Sequence, residues 1–409
     1  MNYSRGEGAD MCSGEGSRNG RRRIVVCSAV VLSTFYAPQL AYAETARSQQ
    51  WYLDAMRAEE MWQKGTGAGV TVAVIDSGVD AELPDLQGQV LLGKDFTGLE
   101  GDAHSDYDGH GTGMAVLIAG NGGAGTFGLA PGVRILPLRV DNGKVPDLKV
   151  LPGAAMASAI RYAADSNAKI INISMGGPYG DDEQAQAVKY AVSKGKLVFA
   201  AAGNTGNKGN LPEYPAAYPG VVGVAAVDQD IKATAESQHG PQVDLAAPGD
   251  NIVATCKGGT GLCRSHGTSD ATALTSASAA LLWSAHPDWT ANQVLRVLIN
   301  TAGGPKTGEK RSDSIGYGVV RPRIALQSPG DPGPADVSPL PELAAAKSPV
   351  AGTASSGEDA AHRQAAEPKK DGSSLLSQRN VLAVGVAAAV ILASGASVLL
   401  KRRRRTQPK

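Results

Sequence analysis

From about residue 69 to residue 326 the chain alternates two apolar patterns. Short runs rich in Val and Ile (Val70–Ile75, Val133–Val140, Lys169–Ile173, Leu197–Ala202 and Val221–Val227) have the length and β-branched content of buried strands. Between them lie longer Ala-rich segments with apolar residues at helical spacing, such as Gly153–Ala164 and Asp182–Ser193. A strand that is apolar on both faces must be covered on both, and alternating helices provide that cover. The pattern therefore predicts an α/β fold with a mostly parallel sheet between layers of helices. The segment 44–327 is long enough for one large core, burying roughly three quarters of the surface that its unfolded chain exposes.

The two ends break this rhythm. Arg21-Arg22-Arg23, the apolar stretch Ile24–Leu40 and then Ala41-Tyr42-Ala43 have the basic flank, apolar core and small-x-small site of a secretory signal peptide, residues 1–43. Ser33, Thr34 and Pro38 interrupt the apolar stretch, which favours cleavage after Ala43 over retention as an anchor. Met11 offers a second start within the long flank. Residues 328–379 shift to Pro, Ala, Ser and Gly without periodicity, the composition of a disordered linker. Val381–Leu400 then carries no charge and, as a helix, spans ~30 Å of hydrocarbon, so 380–400 is expected to form one transmembrane helix. The basic tail 401–409 begins Lys401-Arg402-Arg403-Arg404-Arg405, which places it in the cytoplasm and the rest outside. A sortase-type wall anchor needs Leu-Pro-x-Thr-Gly next to the span; Leu340-Pro-Glu-Leu-Ala is distant and differs at two positions.

Charge adds an exclusion. Lys plus Arg and Asp plus Glu balance at 39 each, and outside the ends they are interspersed, so no nucleic-acid footprint is expected. Of four cysteines, Cys12 and Cys27 fall in the segment expected to be removed. Cys256 and Cys263 remain, close together in a Gly-rich stretch. Two readings stand: a disulfide, which export favours, or a two-cysteine metal site whose one nearby further ligand is His266. The disulfide is the reading adopted, and no metal or cofactor is expected. Asp106 and Asp108 with His104 and His110 also suggest a metal cluster, but solvated loop carboxylates are the reading preferred.

Three segments carry the chemistry: Val-Ile-Asp76-Ser-Gly, Gly-His110-Gly-Thr and His-Gly-Thr-Ser269. A serine hydroxyl needs a base to take its proton, and an imidazole base needs a carboxylate to fix its tautomer and stabilise its charged form. Taken singly, Asp76 and Asn204 read as turn residues, His110 as a helix-start residue and Ser269 as a helix cap. Their joint occurrence in the order Asp, His, Ser points instead to acyl transfer. Phe199-Ala-Ala-Ala-Gly203-Asn204 adds an amide at a strand end, where it can donate to the oxyanion.

With these four segments, residues 51–327 resemble the subtilisin-type serine peptidases, the subtilases. The resemblance implies a subtilisin-like three-layer fold in which Asp76 orients, His110 is general base and acid, Ser269 is the nucleophile and Asn204 the oxyanion donor. Ile173-Ser174-Met175-Gly176-Gly177 resembles the edge strand on which subtilases pair the substrate backbone, giving Ser174, Met175 and Gly176 a binding role. Asp244-Leu-Ala-Ala-Pro-Gly249 and Gly316-Tyr-Gly318 resemble structural segments of the family. The order of exported domain, Pro/Ala-rich linker, span and basic tail, with Gln50-Trp51 through Trp62 near the start, is similar to the mycosins, membrane-anchored peptidases of actinobacterial type VII secretion. That likeness implies a protein or peptide substrate and a secretion complex as partners. The stretch from Glu44 to Asp76 is too short for a folded prodomain, as in mycosins, although mycosins usually carry further cysteines. Near the chemistry the usual Gly-Thr-Ser-Met-Ala-Thr-Pro becomes Gly267-Thr-Ser-Asp270-Ala-Thr-Ala273, and Gly113 replaces a usual His. Asp270, a carboxylate beside the nucleophile, is the one feature favouring an alternative: a catalytically idle scaffold of a secretion complex.

Overall fold

A computed structural model describes residues 45–140 and 152–343. Seven strands form one sheet: β1 (Thr71–Asp76), β2 (Lys94–Asp95), β3 (Arg134–Arg139), β4 (Ile170–Ile173), β5 (Leu197–Ala201), β6 (Val221–Val227) and β7 (Leu245–Pro248). Their spatial order is β2-β3-β1-β4-β5-β6-β7, and every pairing is parallel. The five strands expected from the apolar runs are all present within a residue or two. A short hairpin, β8 (Ile252–Thr255) with β9 (Leu262–Ser265), stands apart from the sheet.

Side-chain alternation along β1 divides the core in two. Val72 and Val74 face one side, joining α3 (His110–Ala119) and α6 (Thr268–Ala285) in the larger cluster. Ala73 and Ile75 face the other, joining α4 (Pro152–Asp165) and α5 (Asp182–Ser193). Period-two alternation thus assigns neighbouring residues to opposite helical layers, which is the three-layer architecture. The helices start where local chemistry stops the chain from extending. Asp181 accepts the Gln184 N–H at 2.8 Å to cap α5. Thr290 and Gln293 form a reciprocal capping box at the head of α7 (Ala291–Thr301). Each such cap contributes about 1 kcal/mol.

The segment before β1 belongs to the core. In α1 (Trp51–Ala55) Tyr52 and Leu53 are fully buried, and α2 (Ala58–Trp62) follows directly. The buried Gln50 amide accepts from the Phe127 N–H at 2.9 Å and donates to the Phe127 carbonyl at 2.8 Å. At the other end, residues 328–343, which composition assigned to the linker, lie along α7, beyond α8 (Pro322–Gln327). Arg296 donates to the carbonyls of Pro332, Pro334 and Val337, and Leu340 is buried. The anchoring runs through backbone carbonyls, which leave no side-chain periodicity to read. The expected signal peptide and transmembrane helix lie outside the described residues; among those described, no helix is long and apolar enough to cross a membrane.

Cys256 and Cys263 form a disulfide with Cα atoms 5.0 Å apart, tying the β8–β9 hairpin at its tip. It makes the alternative metal reading of this pair untenable. Arg296→Met keeps the apolar stem but removes all three carbonyl contacts. It should lower the free energy of urea unfolding by about 2–3 kcal/mol and speed limited proteolysis between residues 328 and 343. Cleavage there at the unaltered rate would show that Arg296 does not hold the segment.

Candidate active site

Parallel pairing brings the ends of three strands to one edge of the sheet. In β1 and β4 Ile75 pairs with Ile173, and in β4 and β5 Ile173 pairs with Ala200. The residues that follow, Asp76, Ser174 and Gly203-Asn204, therefore emerge side by side. Two helices begin at the same edge, α3 at His110 and α6 at Thr268. Crevices at the carboxyl edge of a parallel sheet are where such folds bind and react.

His110 Nδ1 lies 2.7 Å from Asp76 Oδ1. That oxygen also accepts the Ser77 N–H at 2.8 Å. The second carboxylate oxygen of Asp76 is buried and has no hydrogen-bond partner among the described residues. The Asp76 charge holds His110 above the ordinary 6.5, at about 9, against the opposing effect of burial; Asp108 and Asp270 add smaller pushes in the same direction. A proton on Nδ1 facing the carboxylate leaves Nε2 as the base.

Ser269 stands in the first turn of α6. Its hydroxyl donates to the Ser174 carbonyl at 2.8 Å and makes no hydrogen bond to His110 in this rotamer. Rotation about one side-chain bond redirects it, in keeping with the loose catalytic contacts of substrate-free sites. Behind the nucleophile runs a buried chain: Ser174 Oγ donates to the Ser269 carbonyl, Asn172 to Ser174 Oγ, and Ser276 to Asn172 Oδ1. Asn172 fixes β4 to α6 and with it the two residues that must meet at the site. Its position in a buried run marks it as core, and sequence reasoning passed over it.

Asn204 Oδ1 accepts from the Thr268 N–H at 2.9 Å and from the Thr268 hydroxyl at 3.1 Å. With the oxygen engaged at the head of α6, the Nδ2 group is the end that faces the crevice. The Ser269 N–H, in the first helical turn, donates to no acceptor among the described residues. Gly267 makes this junction possible: its φ is 141°, and a Cβ there would stand 3.0 Å from the Asn204 amide.

A cleft of about 240 Å³ collects these groups, lined by His110, Ser174, Gly176, Asn204, Ser269 and Glu213. Six of the seven residues expected at the site thus share one cavity. Asp76 lies behind His110. Met175 also lines the cleft. The segment Ser174–Gly177 departs from expectation in one respect. It continues β4, a central strand paired on both sides, and is an edge only beyond Ile173, where one antiparallel bridge joins Gly177 to Tyr214.

Of the two nearby acids, Asp108 is exposed as expected and Asp106 is not. Asp106 is 5% exposed. One oxygen accepts from Ser77 Oγ and the Gly109 N–H, the other from the Thr112 N–H and hydroxyl, so this carboxylate organises the entry to α3. His104 Nε2 pairs with the Leu91 carbonyl at 2.9 Å, away from the other members of the suggested cluster. Among the described residues no group of three His, Cys, Asp or Glu is placed to hold a metal ion.

Asp270 is 1% exposed, and its Oδ1 accepts from Ser265 of β9 at 2.9 Å. It lines a second cavity of about 220 Å³, with Gly113, the disulfide and the far side of His110, rather than the cleft of Ser269 and Asn204. Although Asp270 is beside the nucleophile in sequence, the helix turns its side chain away from that cleft.

The chain belongs to the subtilase family, whose sequence profile matches residues 67–318. It is a serine endopeptidase of that class. It is 38% identical to thermitase of Thermoactinomyces vulgaris over 258 residues, covering 62% of this chain and 88% of that enzyme. Among solved structures it is similar to MycP1 with the N-terminal propeptide removed, at a TM-score of 0.61 and 31% identity, over 70% of this chain and 99% of that one. MycP3, a protease of the type VII (ESX-3) secretion system, matches at 0.61 and 32%, covering 70% and 90%. The likeness to both supports a mycosin-like architecture.

Burial pushes the Asp270 carboxyl from 3.8 to about 6, the Ser265 hydrogen bond countering only in part. A raised acid contributes most to stability below its unfolded value, and the contribution is lost as pH rises through about 6. Asp270→Asn keeps the acceptor for Ser265 and removes the charge. It should therefore be more stable than the parent at pH 8, by up to about 3 kcal/mol, with the difference vanishing below pH 4. Asp270→Met should move the acid limb of the kcat/KM profile to lower pH, because one negative neighbour of His110 is gone. Urea unfolding at the two pH values and rate profiles test the two parts separately; superimposable acid limbs would remove Asp270 from any influence on the base.

Proposed function

We propose that Ser269, His110, Asp76 and Asn204 carry out peptide hydrolysis at the outer face of a membrane. On this reading Ser269 Oγ attacks the scissile carbonyl while His110 Nε2 takes its proton, and the Asp76 carboxylate stabilises the resulting imidazolium. The oxyanion accepts hydrogen bonds from the Ser269 N–H and Asn204 Nδ2. The imidazolium then protonates the leaving amine, and water, activated by the same imidazole, hydrolyses the acyl-enzyme. Backbone groups of Ser174–Gly176 pair with the extended substrate. The observation carrying this reading is the 2.7 Å His110–Asp76 contact behind a cleft that holds both Ser269 and Asn204. The idle-scaffold alternative rested on Asp270, and that side chain lies outside the cleft.

We further propose a role in type VII secretion, with the peptidase domain exported, Val381–Leu400 as its membrane anchor and Lys401–Lys409 inside the cell. The order of segments in the sequence and the likeness to MycP1 and MycP3 support it.

Ser269→Ala should abolish both peptide cleavage and labelling by a fluorophosphonate probe. Asn204→Ala should lower kcat about 10²–10³-fold, the loss known for removing such a donor from a subtilisin. Hydrolysis by purified Ser269→Ala at the parent rate would reject the assignment. For topology, protease added to intact protoplasts should digest the peptidase domain and spare an epitope placed after Arg405. Protection of both would overturn the proposed orientation.

A further inference from the structure

The cleft beside Ser269 contains one carboxylate, and nothing in the hydrolytic steps uses it. Glu213 lines the same cavity as Ser269, Ser174, Gly176, Gly203 and Asn204. Its position is set by the backbone around it. Tyr214, the next residue, exchanges hydrogen bonds with Gly177 in both directions, at 3.0 and 2.7 Å, which locks the Glu213 segment against the Ser174–Gly177 segment that extends β4. The carboxyl carbon approaches Gly203 so closely that a Cβ there would stand 2.7 Å from it, and a Cβ at Gly176 would be 3.7 Å from Glu213 Oε2. Two glycines thus flank the carboxylate, and neither contributes a side chain to obstruct it.

Its partners orient the carboxylate without neutralising it. Oε1 accepts from Gln238 Nε2 at 2.9 Å and from the Thr205 hydroxyl at 3.4 Å, both uncharged donors. Among the described residues Glu213 forms no ion pair. Half-burial already pushes its carboxyl above the ordinary glutamate range. A carboxylate in a walled cleft, held by neutral donors and lacking a cation, is complementary to a positive charge brought by the ligand.

We propose that Glu213 is a specificity-determining residue that selects substrates with lysine or arginine immediately before the scissile bond. The aliphatic stem of such a side chain lies along the Gly176 and Gly203 backbones, and its charged end meets Glu213. The inference rests on the acyl-transfer reading of the cleft and deepens it by naming the substrate class.

The test uses the full-length protein in detergent, with active sites first counted by fluorophosphonate titration. Two peptides differing only at the residue before the scissile bond, lysine in one and norleucine in the other, isolate the charge at nearly constant stem length. The parent should favour lysine at least about tenfold in kcat/KM, and Glu213→Gln should lower that ratio at least about tenfold, since a desolvated charge pair is a strong discriminator. Glu213→Asp should retain part of the preference, and Glu213→Lys should reverse it toward a glutamate-containing peptide. A ratio is independent of the fraction of each variant that folds. Titratable sites with a parent ratio near one, or with a ratio unmoved in Glu213→Gln, would overturn the assignment while leaving the peptidase reading intact. Absence of titratable sites in the parent would overturn both.

Discussion

The site depends on one buried helix. Apart from its ends, α6 is enclosed by β4 to β7 on one side and by α3, α7 and α8 on the others, so it has no solvated face. A helix buried all round must be slim and must satisfy its own polar groups. The sequence achieves both with Ala, Ser and Thr. The hydroxyls of Thr272, Thr275 and Ser278 donate to carbonyls four residues back, and Ser276 reaches across to Asn172. The remaining positions are small enough for the helix to approach the sheet closely. Because the helix cannot shift without opening that packing, Ser269 and its N–H are held at a fixed height above the strand ends. Asn204 is bound to the same helix head, so its amide and the Ser269 N–H move as one body.

Much of this was legible because it rests on period and punctuation. The apolar runs located five of the seven strands of the sheet, and α5 has the bounds that its pattern implies, since burial on one side leaves a clean helical spacing. Asp76, His110, Asn204 and Ser269 were legible because turn residues and glycines mark strand ends and helix starts. Other features left no such mark. β2 is a two-residue strand with half-exposed side chains, so it has no apolar run to display. Residues 328–343 are held through their carbonyls, which every residue possesses. Asp106 looked like a loop acid because burial of a carboxylate depends on four donors that come from Ser77, Gly109 and Thr112, and only folding assembles them. Glu213 was illegible for the same reason: its meaning lies in the Gly177–Tyr214 bridge, a contact between segments far apart in sequence.

Asp270 shows how position in sequence and position in space can part. It directly follows Ser269, yet successive helical side chains diverge by about 100°, so neighbours face different cavities. Ser269 opens on the cleft of Asn204, whereas Asp270 opens on the cavity behind His110. Gly113 lines that second cavity too, and a Cβ there would meet nothing within 4 Å. Two of the three departures from the usual family motifs, Gly113 and Asp270, therefore fall on one cavity, and neither lines the cleft of Asn204.

That separation resolves an electrostatic conflict. During acylation the imidazole becomes positive and the attacked carbonyl negative, at sites only a few ångströms apart. Acids near both would help the first charge and oppose the second, and at an effective dielectric of 20 a unit charge 4 Å away acts with about 4 kcal/mol. Here Asp76, Asp108 and Asp270 all raise the proton affinity of His110. Lining the cleft of Ser269 are the Asn204 amide and a helix head, and Glu213 is the one carboxylate among the described residues there. Asp76, Asp108 and Asp270 gather instead around the imidazole, so on the proposed mechanism the acids that stabilise the imidazolium need not destabilise the oxyanion. Glu213, the one acid inside the cleft, is placed against the Gly203 and Gly176 backbones and is most readily tolerated there when a substrate cation neutralises it.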